Sequence, residues 1–515
     1  MNLIDAIKGV LLPADKPAEK NQGSGVDRTP LAVNKNLSDI EFLEEEIRRW
    51  KLSPGRLTMF EGERYYSGKH DILKRERMAI GEGGKLEKVE NLPNNRIVDN
   101  QYGKMVDQKT NYLLGQPLTF ESDDKAYVKA LNDVFDKKFH RTLKALGESA
   151  LNCGIAWLYP YYNDEGDLDF MRFEPFEILP LWADAEHTRL DIAVRVYVID
   201  VYEGKDLKQK ELVEVYYSDR VEKYELRDNK LIPDSELPIA NYVIYEDEEG
   251  QTGYSWGKVP LIPFKYNNQE IPLIRKVKSL QDGINLMLSD FMNNMQEDAR
   301  NTILVLKNYD GEDLGTFRKN LSEYGAVKVR TVDGADGGVD TLTVTVNSDN
   351  YKAVLELFKK ALIENAMGYD AKDDRLNGQP NQMNIQSMYS DIDLDANNME
   401  TEFQAAFETL LEFLDLHFAG KGIGNFENSD VRVIFNRDMM MNESEVIDDC
   451  AKSVGIISDE TIIAQHPWVE DVDSELKKLD KQKKAAEEQY NPFKAPADDD
   501  EQDPKKDDKD DGKEA

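Results

Sequence analysis

The stretch Met367–Asn384, MGYDAKDDRLNGQPNQMN, is long, polar and nearly devoid of apolar anchors, yet helical patterns flank it on both sides. A compact domain rarely keeps a structureless connection of that length unless it is functional or disordered. Upstream, residues 349–367 place Tyr351, Val354, Leu355, Phe358 and Leu362 on one helical face. Downstream, residues 384–419 carry apolar positions from Ile385 and Met388 through Phe403, Phe407, Leu411 and Leu414. Further back, a helix begins after Pro272 and runs to about Arg300. Its Val277, Leu280, Ile284, Met287 and Phe291 follow the three-four spacing of a narrow apolar seam. Between this helix and the one at 349–367 lies a small mixed unit: a strand TILVLKNY, a short helix around Leu314–Tyr324 and a hairpin AVKVRTVDGADGGVDTLTVTV. An insertion so local in sequence lets its two flanking helices lie side by side and carry it at one end.

Working outward, residues 12–36 are rich in Pro, Gly, Lys and Asn and read as a flexible arm. A first helix follows, with a Ser38/Glu41 capping box and a stripe of Ile40, Leu43, Ile47 and Trp50. Glu44 and Glu45 precede Arg48 and Arg49 by four residues, the spacing of helical ion pairs. NNRIVDNQYGKMVDQKTNYLLGQP reads as a second helix, with Val98, Tyr102, Met105 and Tyr112 or Leu113 on one face. Gly115 is its expected C′ residue and Pro117 its stop. A third helix spans about 124–151 through Leu131, Phe135, Phe139, Leu143 and Leu146. From Gly154 the period changes to two, and Tyr-, Val- and Ile-rich segments broken by turns predict an antiparallel sheet domain over 154–248. The Pro-punctuated bridge KVPLIPFKYNNQEIP then leads to the helix after Pro272. Beyond the long helix, a strand VRVIFN precedes three short helices: one after Asn442 or Ser444, one capped by Ser458 and one after Asp473. The tail PADDDEQDPKKDDKDDGKEA has no aliphatic residue beyond Ala and is expected to be disordered. A solvated charged end is the plainer reading of it, a docking arm the other.

A chain of 515 residues divides naturally into several sub-domains. With 100 acidic against 65 basic residues its formal charge is −35, which argues against a sequence-reading nucleic-acid binder with a basic face. Two cysteines, Cys153 and Cys450, are too few for a disulfide framework, so a reducing compartment is expected. No apolar run approaches the roughly 20 residues that span a bilayer. The start, MNLIDAIKGVLLPADK, lacks a basic n-region and cleavage site; Ile4, Ile7 and Leu11 suit a short amphipathic helix.

A search for chemistry returns little. The histidines His70, His140, His187, His417 and His466 are scattered, and none is paired at metal-ligand spacing. There is no phosphate-binding P-loop and no nucleophile elbow. GEGGK at 81–85 neither follows a clear strand nor opens a helix, and reads as a turn. In DGADGGVD at 333–340, Asp333, Asp336 and Asp340 lack EF-hand spacing and sit where a hairpin must turn.

The order of elements is informative where motifs are not. Helices, a sheet, a long helix, a small mixed insertion, a second helix, a polar loop, a very long helix and a helical end together resemble the portal proteins of tailed double-stranded-DNA bacteriophages. The resemblance is to the branch common in phages of Gram-positive bacteria. It is carried by YYSGKHDIL, NLPNNRIVDNQYGKMVDQKTNYLLGQP, FEPFEILPLW, ILVLKNYDG and the run from VIFNRDMMMNESEVID to GIISDETIIAQHPWVEDVDSELKKL. It spans about 38–485, leaving out the arm and the acidic tail. It implies an α+β fold assembled as a ring, usually of twelve subunits, around a DNA channel.

The implied organisation is an arm at 1–37, a wing of helices and antiparallel sheet at 38–262, and a first stem helix at 263–300. A clip at 301–348, a second stem helix at 349–367 and a tunnel loop at 368–383 follow. A long wing helix and strand occupy 384–440, a crown 441–490, and the acidic tail 491–515. The resemblance places Asp373, Asp374, Arg375, Asn377, Gln379, Asn381 and Gln382 in a tunnel loop that faces DNA. Amides there give weak, easily exchanged contacts, whereas many Lys–phosphate contacts would brake sliding DNA. Arg275, Lys276, Lys278, Lys359 and Lys360 are candidate channel-lining cations, and Val277, Ile284, Phe291, Leu355, Phe358 and Leu362 candidate stem-packing residues. The edges of the clip strands need a neighbour to cover them.

The implied role is a structural subunit at the capsid vertex, with no catalytic activity and no cofactor. It acts in DNA packaging, retention and ejection. The implied partners are further copies of itself, double-stranded DNA, a terminase packaging motor, capsid and scaffolding proteins, and head-completion and tail-adaptor proteins, with no membrane. The implied location is the virion, with assembly in the host cytoplasm. Two rivals stand beside it: an oligomeric scaffold without a channel, and a metal- or nucleotide-dependent packaging or nuclease enzyme. For the tunnel stretch itself, an ordinary surface connection is the alternative.

Overall fold

The computed structural model describes residues 37–80, 85–89, 92–163, 165–247, 250–298, 302–307, 338–343, 348–371, 382–427, 429–437, 443–469 and 472–489. The arm, the segment 314–324 expected to be a short helix, the acidic tail and most of the queried loop lie outside them. So do the turn residues 81–84 and the loop residues Asp333 and Asp336. The chain is a mixed helix-and-sheet protein that divides into two compact units. One comprises Met1–Asp373 with Ser387–Met439, the other Asp374–Gln386 with Met440–Ala515.

The larger unit opens with α1, Asp39–Lys51, where Ser38 and Glu41 cap each other reciprocally. Leu43, Ile47 and Trp50 are buried, whereas Ile40, one turn ahead, stays exposed. The expected four-residue ion pairs do not form. Arg48 and Arg49 reach back three residues to Glu45 and Glu46, and Glu44, largely buried, pairs with Lys230 on the sheet. The stripe packs on Val194, Val196, Val213, Val215, Tyr224, Leu226 and Leu231, so α1 covers one face of a five-stranded path. That path runs 230–233, 221–227, 206–216, 190–203, 178–182, antiparallel throughout, with 239–240 added beside 221–227.

A helix that the hydrophobic pattern leaves unassigned, α2, spans Pro54–Tyr66, with Ser53 as N-cap and Pro54 in its first turn. The second expected helix starts later than its pattern suggests. In the structure α3 is Gln101–Leu114, capped by the Asn100 side chain, and residues 93–100 form neither helix nor strand. Gly115 ends α3 in right-handed backbone, φ −72°, so it does not act as a left-handed C′ residue. The third expected helix is two, α4 at Lys125–Val134 and α5 at Lys137–Cys153. Asp136 caps α5 by accepting from the Lys138 and Phe139 amides at 2.9 Å. The GEGGK segment does follow a strand, since Met78–Ile80 pairs with Leu86–Lys88.

At Gly154, φ +86°, α5 turns into the strand 155–162. A Cβ there would lie 2.1 Å from the Glu270 carbonyl, so the corner requires glycine. This strand belongs to a second sheet with 168–173 and with 262–265, a strand inside the Pro-punctuated bridge. The single sheet expected over 154–248 is thus resolved into separate sheets, with a further hairpin at 243–254.

Three long helices follow: α6, Ile274–Asp298; α7, Ser348–Asn365; and α8, Gln382–Gly420, of which the residues from Ser387 on belong to this unit. Between α6 and α7 the strands Thr302–Lys307 and Gly338–Thr343 pair antiparallel. Phe403 and Phe407 of α8 meet Phe264 and Phe435 edge-on, tying α8 to the second sheet and to the strand 432–434. That strand in turn pairs with 119–121. The smaller unit holds α9, Glu443–Ser453; α10, Asp459–Gln465, capped by Ser458 as expected; and α11, Val472–Gln489. Asp473 lies inside α11, which is a full helix of 18 residues, not a short one.

Candidate functional site: the paired long helices and the base of the loop

Helices α6 and α7 pack along the expected seam. Val277, Ile284 and Leu362 are wholly buried, and the Phe291 and Tyr351 rings sit 5.1 Å apart. Leu355 and Phe358 are half-buried. Phe358 lies against Gly283, where an added Cβ would be 2.7 Å from its ring. Phe291, Leu355 and Phe358 thus lie where the two helices meet, and Val277, Ile284 and Leu362 are buried.

The flank of α6 away from this seam carries a feature the apolar pattern conceals. Gln281, Asn285, Ser289 and Asn293 repeat every four residues, and all are fully buried. The Asn95, Ile97, Asp99 and Tyr102 amides donate to Asn293 Oδ1, Ser289 Oγ, Asn285 Oδ1 and Gln281 Oε1, at 2.7, 2.9, 2.9 and 2.8 Å. Gln281 Nε2 returns a bond of 2.7 Å to the Asp99 carbonyl. Four helical residues advance about 6 Å and two extended residues about 6.6 Å, so Asn293, Ser289 and Asn285 meet alternate amides, while Gln281 meets the Tyr102 amide three residues on, at the start of α3. Helix side chains here replace a neighbouring strand. His70 joins this lock, with Asn285 Nδ2 2.7 Å from its Nδ1 and the Tyr65 carbonyl 2.9 Å from its Nε2.

The loop lies mostly outside the described residues: Asp373, Asp374, Arg375, Asn377, Gln379 and Asn381 all fall there, and Gln382 opens α8. Its base is described. Met367, at φ +54°, ends the helix in left-handed backbone. Lys109 Nζ donates to the Met367 carbonyl at 3.0 Å and pairs with Asp395 of α8 at 2.6 Å. Gln108 bonds the Tyr369 carbonyl and amide at 2.9 and 3.1 Å, and the Tyr369 ring lies 4.6 Å from that of Tyr389. The Tyr266 hydroxyl lies 2.8 and 2.9 Å from the two Asp395 oxygens. Burial pulls the Lys109 ammonium below lysine's ordinary range, against the opposing pull of Asp395. Burial, then Asp395, pushes Tyr266 well up, so its hydroxyl remains a donor.

The five expected cations differ in their freedom. Lys278 lies 2.7 Å from Asp282 and 2.8 Å from Asp71. Those bonds outweigh its desolvation and hold it above the ordinary lysine range. Lys359 pairs with Asp99 at 2.7 Å, and Lys276 sits over the Tyr266 ring, 3.6 Å from Asp395. Arg275 is exposed, and Lys360 is 76% exposed with Glu364 4.0 Å away. Intrachain carboxylates therefore already occupy Lys278 and Lys359. Among the described residues no group of three His, Cys, Asp or Glu side chains is placed to hold a metal, and no helix is long and apolar enough to cross a membrane.

A sequence model of the family described as phage portal protein, SPP1 Gp6-like, matches residues 56–489. The chain belongs to that portal family. It is 29% identical over 432 residues to the portal protein of Bacillus phage SPP1, covering 82% of this chain and 83% of that protein. It is 27% identical over 436 residues to the portal protein of Clostridium phage phiCD119, covering 82% of this chain and 92% of that protein. Both are phage proteins, so the portal-connector role and a place in the virion follow for this chain. The sequence missed the polar rungs of α6 and the Lys109–Asp395 pair. The rungs were visible as Gln281, Asn285, Ser289 and Asn293 at four-residue spacing; the pair, 286 residues apart, left no local signal.

Proposed function

We propose that copies of this chain close side by side into a ring, of twelve subunits as is usual for the resemblance, around a channel for double-stranded DNA. The family match over 56–489, taken with two packed long helices and a polar loop on a clamped base, carries the proposal. Residues 38–262 with 384–440 form the wing, α6 and α7 the stem, 301–348 the clip and 441–490 the crown. The loop at 368–383 projects into the bore, with Asp373, Asp374, Arg375, Asn377, Gln379, Asn381 and Gln382 towards DNA. Of the five stem cations, Arg275 and Lys360 are the two most available to offset repulsion between an acidic subunit and phosphate.

The subunit is structural, without catalysis or cofactor. ATP hydrolysis belongs to a terminase motor that docks at the clip and is followed there by head-completion and tail-adaptor proteins. Capsid and scaffolding proteins hold the ring at the vertex, after assembly in the host cytoplasm. Deleting Asp373–Asn381 tests the loop: rings are expected to assemble as before, while particles package or retain less DNA. Normal DNA yield in such particles would remove the loop from the channel.

A further inference from the structure

The charge pair under the loop is almost out of water: the Lys109 and Asp395 side chains are 3% and 7% exposed. Burying two ions costs several kcal/mol each, and an apolar pair of like volume commonly stabilises a fold at least as well. Stability alone therefore gives no reason for a lysine and an aspartate here. Direction does. The Met367 carbonyl lies two residues past the end of α7, and a lysine there both donates to it and brings a cation near that helix's C-terminal end. An apolar residue would leave the carbonyl buried without a donor.

Lys109 does not act alone on the chain leaving α7. Its neighbour Gln108 holds both backbone groups of Tyr369, and a Cβ on the intervening Gly368 would lie 2.7 Å from Met105 Sδ and 2.9 Å from Gln108 Oε1. Residues 367–369 are thus clamped on one face of α3, with Met367 kept in a left-handed conformation that costs energy unless its surroundings enforce it. Asp395 anchors the clamp to α8. Its oxygens also face Tyr266, just after the second sheet, and Lys276, in the first turn of α6. One carboxylate on α8 therefore touches side chains from α3, from the segment after the second sheet and from the start of α6.

We propose that Lys109 and Asp395 are positioning residues for the loop: the buried pair sets the direction in which the chain leaves Met367, and so where the loop residues stand in the bore. This rests on the channel reading of the loop given above.

The test uses full-length particles carrying Lys109→Met, or the volume-matched double variant Lys109→Met/Asp395→Leu, beside the loop deletion and Leu143→Ala, a change at a buried residue of α5. Rings and thermal stability, hydrogen exchange of the peptide covering 366–371, and DNA retained per particle are measured. The double variant is expected to assemble into rings, with its melting temperature lowered because the Met367 carbonyl and the Tyr266 hydroxyl lose their partners. Its 366–371 exchange should quicken by about tenfold, as befits a lost bond to a charged group, and its DNA retention should fall towards that of the loop deletion. Leu143→Ala should lower stability without either change. Normal exchange at 366–371 and normal retention in the double variant, with the deletion defective, would overturn the positioning role and leave the channel reading standing. A deletion with normal retention would overturn the channel reading instead. The exchange measurement would then still decide whether the pair directs the loop. If Lys109→Met alone fails to fold, the double variant decides.

Discussion

His70 has both ring nitrogens engaged: Nε2 faces the Tyr65 carbonyl and Asn100 Oδ1, and Nδ1 faces the Asn285 amide nitrogen. A second proton would have to point at a donor, and burial already pushes this imidazole below the ordinary 6.5. The folded protein thus binds fewer protons here than the unfolded chain just below pH 6.5, so stability from this site is complete above that value and is lost as pH falls. Replacing His70 with Asn should flatten the fall in melting temperature between neutral and mildly acid pH, measured against wild type. An unchanged slope would show that His70 is not what titrates. At the seam, Gly283→Ala forces a methyl against the Phe358 ring and should cost about 1–3 kcal/mol in chemical denaturation. Phe358→Asp should prevent ring assembly, and normal rings from it would mean the helix face is misplaced. The capping box at Ser38 and the seam residues were legible because local spacing determines them. Lys109 and Asp395 were not, since a charged residue on a helix reads as a solvated face until a partner distant in sequence covers it.

Among the elements, the extended segment before α3 shows why periodicity misled. Val98 falls in phase with Tyr102 and Met105, so 94–117 reads as one helix. The rungs of α6 offer the Asn95, Ile97 and Asp99 amides better partners than a helical turn would, and the segment stays extended. Amide exchange tests this directly: Ile97 and Asp99, outside any helix or strand, should be protected as strongly as the neighbouring helices. Asn285→Leu should release Asp99 and cost about 1–3 kcal/mol through the unsatisfied amide. The break between α4 and α5 was hidden for a related reason. Phe135 and Phe139 keep the apolar phase across it, and only Asp136, an N-cap inside an otherwise regular run, marks the new start.

For the whole molecule, the smaller unit carries an observation that favours the proposed assembly. Across the described residues of 443–489 only Cys450 is buried, while Val454, Ile456 and Trp468 are 65%, 80% and 73% exposed. So small a helical unit cannot stand on such a core. A fragment spanning 440–490 should therefore show little helical signal by circular dichroism, whereas a stably helical, monomeric fragment would mean it needs no neighbour. The class of fold and the two paired helices were legible from element order. The partner surfaces were not, because an apolar side chain awaiting another copy looks the same in sequence as one awaiting its own core. The most direct measurement is an averaged end-on electron-microscope view of the purified full-length protein. The proposed channel predicts closed rings with a central hole narrowed by density from every subunit. Lone monomers under assembly conditions, or rings whose loops point to the outside, would contradict it.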